Sequence, residues 1–145
     1  MLVHLTQAQA VEFWNVLKWH IAKALPYGES DKNFGSLLSS VNRGTLNVLV
    51  YTSEVEAEET TIKAVVTTTL NIDHITGEKN FVIYTFTGND GLSGEQLEEI
   101  QRGIVNFAKG LECKKIIFYT TNEKIKSLSK QLGYKEVSSV YSLEV

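Results

Sequence analysis

The spacing of apolar residues changes several times along the chain, and each change marks a predicted element. Residues 2–5 have the composition of a short strand, and Thr6 with Gln9 can form a capping box at the start of a helix. The apolar residues of this helix share one stripe that ends before Pro26: Ala10, Phe13, Trp14, Leu17, Ile21, Ala24 and Leu25. The same period predicts a second, shorter helix over residues 31–42.

The apolar period then becomes that of extended chain, and three strands are predicted. Residues 45–51 alternate between the two faces of a strand, residues 60–72 are rich in β-branched side chains, and residues 81–87 are apolar and aromatic. The acidic stretch 54–59 and the segment around Gly77 separate these strands as turns. Short turns of this kind predict that the three strands pair in antiparallel order.

The last part of the chain predicts two helices, a buried strand and an extended end. After the glycine-rich residues 88–94, a helical stripe runs to Gly110 through Leu97, Ile100, Ile104, Val105 and Ala108. Residues 115–119 are predicted to form a strand, and the apolar run from Ile116 to Tyr119 is typical of a buried parallel strand. Residues 123–132 then predict a helix, and residues 134–145 are extended.

This order predicts one α/β (α+β) domain that spans residues 1–145. We expect a mixed central sheet of about six to seven strands with about four helices. The glycine turn and the helix after residue 87 form a crossover of adequate length. Residues 81–87 and 115–120 are therefore predicted to be adjacent parallel strands.

The amino-acid composition limits which partners and which cellular compartment we expect for the protein. The chain has 145 residues, of which 43% are hydrophobic and 21% charged, as in ordinary globular domains. Its 14 basic residues are scattered and the net charge is −3, which argues against nucleic acid as a partner. The longest apolar runs, 81–84 and 116–119, are far too short to cross a membrane. Because the start lacks a secretory pattern and Cys113 is the single cysteine, we expect a cytoplasmic protein.

Few side chains outside the glycine-rich loop suggest chemistry. His4, His20 and His74 lie far apart in sequence, so no metal site is predicted. Cys113 precedes an apolar strand and is interpreted as a buried thiol rather than a nucleophile. The acidic residues of 54–59 fit a solvated turn, or a site that attracts a cationic amine.

Aromatic residues offer two further hypotheses. Tyr84 and Tyr119 fall on neighbouring predicted strands, where each either packs in the core or orients or deprotonates an acceptor through water. Trp19 lies off the core stripe of the first helix, and with Phe13 or Val16 it can mark a partner surface. A homodimer is one such partner.

A motif near the end of the chain carries a family resemblance. Asn122 follows the fifth predicted strand, a helix comes next, and Gly133 with Tyr134 ends that helix. Together with the order of elements, this motif resembles the GNAT superfamily of acyl-CoA-dependent N-acyltransferases. The resemblance implies a GNAT-like fold that holds acetyl-CoA between the fourth and fifth strands. It implies contacts to acetyl-CoA from Phe86, Thr87, Asn89, Gly91, Leu92, Ser93, Gly94 and Asn122.

The chain also departs from the family's pattern. The pyrophosphate loop of the family begins with Gln or Arg, where this chain has Gly88 or Asn89, and Asp90 adds a negative charge beside the phosphates. The glycines are therefore compatible with a phosphate cradle or with a plain strand-to-helix turn. Ser129 stands where many members place a tyrosine that protonates the leaving thiolate, and a serine hydroxyl is a far weaker acid.

Two functions follow from these features. The first is an N-acyltransferase that passes an acetyl group from acetyl-CoA to a small-molecule or protein amine, with Tyr84, Tyr119 and Ser129 as the candidate catalytic residues. The second is a GNAT-like domain that has lost catalysis and serves as a binding or structural module. Binding of acetyl-CoA separates the two hypotheses.

Overall fold

A computed structural model describes residues 1–25, 31–54, 60–88, 91–120 and 122–145 of the chain. These residues form five strands and five helices, in the order β1 (Leu2–His4), α1 (Gln7–Glu12), α2 (Trp14–Lys23), α3 (Asp31–Asn42), β2 (Asn47–Glu54), β3 (Thr60–Ile72), β4 (Lys79–Gly88), α4 (Gly94–Gly110), β5 (Lys115–Ile117) and α5 (Glu123–Gln131). The predicted helix stop at Pro26 and most of the predicted acidic turn lie outside the described residues. None of the described helices has the length and apolar character needed to cross a membrane.

The strands form one mixed sheet in the order β1-β2-β3-β4-β5. The first four pair antiparallel, whereas β5 lies parallel to β4 with Asn80 opposite Lys115 and Val82 opposite Ile117. Helix α4 provides the crossover between these two strands. The prediction of adjacent parallel strands is therefore confirmed.

Apolar residues cover both faces of the sheet. On one face, Leu17 and Ile21 of α2 pack with Val65 of β3 in a cluster to which α1 and α3 also contribute. On the other face, Ile100 and Ile104 of α4 join a cluster with strand residues that include Phe81. Because Ile100 and Ile104 are 2% and 3% exposed, the predicted stripe of α4 does face the sheet at these positions.

Replacing Ile104 with alanine is expected to lower the free energy of unfolding by about 2–5 kcal/mol, because the substitution leaves a cavity beneath α4. Asn106 lies on the exposed face of the same helix, so Asn106→Ala is the matched control. Urea unfolding of the two variants measures the difference. A loss for Ile104→Ala no larger than for the control would show that this stripe does not anchor the helix.

The predicted first helix is two helices in the structure. Phe13 ends α1 and begins α2 with φ −93° and ψ 10°, outside regular helical geometry. The apolar stripe nevertheless continues through the break, since Ala10, Trp14, Leu17 and Ile21 are all buried. No glycine or proline marks the position, which is why the pattern predicted one helix. The described chain accordingly has five helices, where about four were predicted.

The end of the chain differs from the predicted sheet. Residues 134–145, all of which the structure describes, form neither helix nor strand, so the sheet has five strands instead of the six to seven predicted. β5 is also shorter than the predicted run, since it ends at Ile117. A strand requires a neighbour for its backbone groups as well as a suitable sequence, and here the end of the chain lies exposed without one among the described residues.

Candidate functional site

The two parallel strands separate part of the way along the sheet. Within the described residues, pairing between β4 and β5 stops at Val82 and Ile117. β4 continues to Gly88 and remains paired with β3 on its other side. The separation leaves an opening beside the second half of β4, where backbone groups on the β5 side have no strand across from them in the described part of the chain.

A β-bulge lies at the start of this opening. Thr67 of β3 is opposite Thr85, but Thr68 is opposite Ile83, so Tyr84 is the extra residue of β4. The hydroxyls of Thr67 and Thr85 are buried and hydrogen-bonded at 2.5 Å, which holds the strands together at the shift. Bulges bend a strand and redirect its backbone groups, and they are frequent next to active sites.

The two candidate tyrosines stand on either side of the opening. Tyr84 is two residues beyond Val82, the last paired residue of β4, and Tyr119 is two residues beyond Ile117, the last of β5. Their side chains are 46% and 67% exposed. Neither side chain is therefore buried in the core, and both residues lie just beyond the last paired residues of the two strands.

The glycine-rich loop joins the far end of β4 to α4. Gly91 has φ +99°, a left-handed conformation that side chains other than glycine rarely adopt. Ser93 caps α4 in a capping box: its Oγ accepts from the Gln96 N–H at 3.1 Å, and its own N–H donates to Gln96 Oε1 at 2.9 Å. Asn89 and Asp90 lie outside the described residues.

The first turn of α4 can bind an anion. The amides of Gly94 and Glu95 lie in the first turn, where an α-helix provides no acceptor for its N–H groups. The positive end of the helix dipole also lies here. A Cβ on Gly91 or Gly94 would meet no described atom within 4 Å, so the described part of the loop is open to a ligand.

Side chains at the end of β4 are engaged within the protein. Phe86 and Leu92 pack against the core beneath α4. A Cβ on Gly88 would lie 2.6 Å from Leu92 Cδ1, so glycine at this position permits the close packing of Leu92. Thr87 donates a hydrogen bond of 2.5 Å to the carbonyl oxygen of His20. Phe86 and Thr87 can thus contribute backbone groups to a ligand more readily than side chains.

The predicted residues after β5 also have internal partners. Asn122 Oδ1 accepts hydrogen bonds from the amides of Lys124 and Ile125 and so caps α5. Ser129 Oγ donates to the Ile125 carbonyl at 2.6 Å, one turn back along the same helix. This bond engages the Ser129 proton, which argues against its predicted role as general acid.

Tyr134 forms a further contact that the sequence pattern did not predict. Its hydroxyl donates to Gln101 Oε1 at 2.9 Å, and its ring lies edge-on against Phe118 at a centroid distance of 5.1 Å. Burial raises the pKa of Tyr134. Tyr134 thus joins α4 to the end of β5.

The other titratable candidates lie away from the opening or lack partners for chemistry. Burial, followed by the charge of Lys23, lowers the pKa of His20, and its Nδ1 is buried without a partner among the described residues. Burial raises the pKa of the Cys113 thiol, which disfavours a nucleophilic thiolate. Within the described residues, no three side chains that could bind a metal come together.

Two surface cavities lie at the other end of β4 and β5. One of about 270 Å³ lies between α4, the start of β5 and Tyr134. The other, of about 610 Å³, lies between the β3–β4 turn and the α4–β5 connection. Neither is lined by the bulge or by the glycine-rich loop, so the opening between the strands is a cleft in the sheet and separate from both cavities.

The fold is that of a known structural class. The chain has the fold of the GNAT acetyltransferases, as its predicted order of elements indicated. It superimposes on the crystal structure of a "probable acetyltransferase" with a TM-score of 0.76 and 12% identity, covering 100% of this chain and 97% of the other. No protein-family model matches the chain, and no curated protein matches it.

Two further solved structures are similar over their whole length. A GNAT family acetyltransferase from Staphylococcus aureus gives a TM-score of 0.70 at 15% identity, with 100% of this chain and 98% of that one covered. AAC(6')-Iy, in complex with the bisubstrate analog CoA-S-monomethyl-acetylneamine, gives a TM-score of 0.73 at 10% identity, with 100% and 97% covered.

Proposed function

We propose that the protein is an N-acyltransferase that transfers an acetyl group from acetyl-CoA to an amine of a small molecule or a protein. The observation that carries this proposal is the separation of β4 and β5 immediately after Val82 and Ile117, with a bulge at Tyr84 beside it. The opening exposes strand backbone at its centre and leads to a helix N-terminus at its far end. A thioester with a long pantetheine arm and a pyrophosphate matches this arrangement of donors.

Acetyl-CoA would supply the activated acyl group, and the backbone of this chain would hold its two ends. Amides of Gly94 and Glu95 donate to the pyrophosphate at the positive end of α4. Backbone groups of β4 beyond the bulge orient the pantetheine arm and the thioester, as an added strand would be held. The bisubstrate complex of AAC(6')-Iy supports the proposal because this fold accommodates a coenzyme A adduct in that protein.

Transfer requires one bond to form, one to break and two protons to move. The neutral amine nitrogen attacks the thioester carbonyl carbon, so a C–N bond forms as the C–S bond breaks. The amine proton passes to a water molecule bound by Tyr84 or Tyr119, and the departing thiolate takes up a proton from water in the same opening. Tyr84 and Tyr119 are partly exposed beside this opening, and the Ser129 hydroxyl donates to Ile125 within its own helix.

A second function, a non-catalytic binding module, is favoured by specific contacts. Asn122 Oδ1 caps α5 and Ser129 donates to Ile125, so both residues have structural roles that do not require a coenzyme. Asp90 adds a negative charge to the loop that would receive phosphates. A module of this kind would keep the fold and the glycine turn without binding acetyl-CoA.

Titration calorimetry with acetyl-CoA tests the proposal. We expect weak binding by the unmodified protein and stronger binding by Asp90→Asn, because the substitution removes a charge that repels phosphate. Asn89→Arg should strengthen binding further, since arginine forms charge-assisted hydrogen bonds with phosphate. Added salt should reduce the effect of Asp90→Asn, because screening acts over about 10 Å at 0.1 M ionic strength. If neither variant binds acetyl-CoA, the loop is only a turn and the module is the better account.

A further inference from the structure

His20 has a buried ring nitrogen that bonds to nothing in the described chain. The residue lies on α2 and is partly exposed, but its Nδ1 is buried and has no hydrogen-bond partner among the described residues. Nearly all buried polar groups in native proteins have a partner, so a nitrogen of this kind calls for an explanation. A role in a reaction is one explanation, because the partner then arrives with the substrate.

The bulge places two successive residues of β4 on the side of the sheet that α2 covers. Ile83 and Phe86 pack against the cluster beneath α4, on the other side of the sheet. Tyr84 and Thr85 are the residues between them, and because neighbouring residues of a strand alternate in direction, both lie on the α2 side. Tyr84, at the opening between β4 and β5, is therefore on the same side of the sheet as His20.

A hydrogen bond attaches His20 to the same strand. Thr87, three residues beyond Tyr84, donates from its Oγ1 to the His20 carbonyl oxygen at 2.5 Å. Each of the first four strands is antiparallel to the next, so β1 runs against β4, and α2 returns over the sheet in the direction of β4. Helical side chains lean toward the N-terminus of their helix. The imidazole therefore leans from the Thr87 contact back along β4, toward Tyr84.

The surroundings keep this imidazole neutral. Burial, followed by the charge of Lys23, lowers the pKa of His20 from its ordinary value of 6.5. The strand residues on this side include Val65 and Thr87, which pair across β3 and β4, and Tyr84, whose phenol is uncharged at pH 7. None of these three carries a negative charge that would raise the pKa of His20. The ring therefore has a lone pair at neutral pH and is able to accept a proton.

The proposed transfer requires a group that keeps the amine proton. A water molecule bound by Tyr84 can relay this proton, but neither water nor a neutral phenol holds an additional proton near pH 7. A neutral imidazole does so, because its pKa lies close to this range. Rotation of the ring about χ2 moves Nδ1 of His20 from the buried edge to the opposite one. Hydrogen-bonded to the relaying water, Nδ1 gains the partner that the described chain does not provide.

We propose that His20 is the general base of the acetyl transfer, a role that rests on the proposed N-acyltransferase function. The amine nitrogen attacks the thioester carbonyl carbon and gives its proton through the water to the imidazole, so a C–N bond forms and an imidazolium results. The C–S bond then breaks, and the imidazolium returns the proton through water to the thiolate. The imidazole is neutral again after each cycle, and no other acid or base is consumed.

The pH dependence of acetyl transfer tests this role. His20→Asn keeps a polar side chain that cannot take up a proton, and His74→Asn, at an exposed histidine between β3 and β4, is the matched control. At pH 8 we expect His20→Asn to lower kcat/KM about a hundredfold to ten-thousandfold, and the control to change it little. The difference should narrow as the pH falls through the pKa of His20, below 6.5, because the protonated imidazole is no base. Ionisation of the amine affects both proteins equally and cancels in the ratio.

Calorimetry with acetyl-CoA separates proton transfer from other roles of this residue. We expect His20→Asn and a second variant, His20→Gln, to bind acetyl-CoA as the unmodified protein does. Full activity of both variants would overturn the role of His20 and leave the acyltransferase function standing. A loss of rate that is the same at every pH, together with weaker acetyl-CoA binding, would also overturn it, because His20 would then act only in structure. Absence of transfer by the unmodified protein with every amine would overturn the proposed function and the role of His20 with it.

Discussion

Replacing Gly94 with proline is expected to weaken acetyl-CoA binding roughly ten- to a hundredfold, because it removes one backbone donor to the pyrophosphate. The estimate follows from the strength of a hydrogen bond to a charged group, about 1.5–3 kcal/mol, where about 1.4 kcal/mol is a factor of ten. Most substitutions at the start of a helix change the stability of the fold as well as the backbone donor. Gly94→Pro should remove the donor and leave the stability of the fold nearly unchanged.

Proline fits the structure at this position. Gly94 is the first residue of α4, where an N–H has no intrahelical acceptor and where proline is common. The preceding Ser93 has φ −75° and ψ 163°, which is the extended conformation that a residue before proline prefers. An added Cβ meets no described atom within 4 Å. The free energy of unfolding should therefore change little.

Gly94→Ala is the matched control, because it adds a side chain at the same place and keeps the N–H. Calorimetry with acetyl-CoA is best carried out in an Asp90→Asn background, where stronger binding leaves a wider range in which to measure a loss. Equal weakening by alanine and proline would assign the effect to the side chain and not to the amide. Unchanged binding by Gly94→Pro would mean that this helix start does not hold the pyrophosphate.

Elements set by local periodicity were predictable from the sequence. The stripe containing Ile100 and Ile104 identified α4 and its buried face, since apolar spacing reports directly on which side of a helix meets the core. The capping box of Thr6 with Gln9 was likewise predicted from side chains three residues apart, and it is present at the start of α1. Parallel pairing of β4 and β5 followed from the length of the crossover between them.

Features set by the pairing of distant segments were not predictable. The bulge at Tyr84 exists only because β3 shifts its register between Thr67 and Thr68, and neither strand sequence carries a sign of it. The separation after Ile117 shortened a strand that the apolar run predicted to continue. The same limitation explains Ser129, whose hydroxyl was available in sequence but is bound to Ile125 in the fold.

The two tyrosines at the opening are expected to have the largest effect on the proposed reaction. If their phenols hold the water that accepts the amine proton, the double variant Tyr84→Phe with Tyr119→Phe should lower kcat/KM about a hundredfold to ten-thousandfold, the usual contribution of positioned acid–base groups. Tyr119 is 67% exposed, so loss of its hydroxyl should change the free energy of unfolding little, and urea unfolding of both single variants checks that the fold is kept.

Single variants and one control identify which group acts. Acetyl transfer to a panel of amines, followed by release of free thiol, gives the rate for Tyr84→Phe and Tyr119→Phe separately, and the larger loss marks the phenol that handles the proton. Ser129→Ala should retain the unmodified rate, because its hydroxyl donates to Ile125 and not to the opening. If the double variant keeps full activity while Ser129→Ala loses it, the proton path follows α5 and the assignment to the separated strands is wrong. Each substitution removes a hydroxyl that would transfer the proton, but it leaves the contacts that would bind acetyl-CoA in place. We therefore expect kcat to fall while the dissociation constant of acetyl-CoA stays the same.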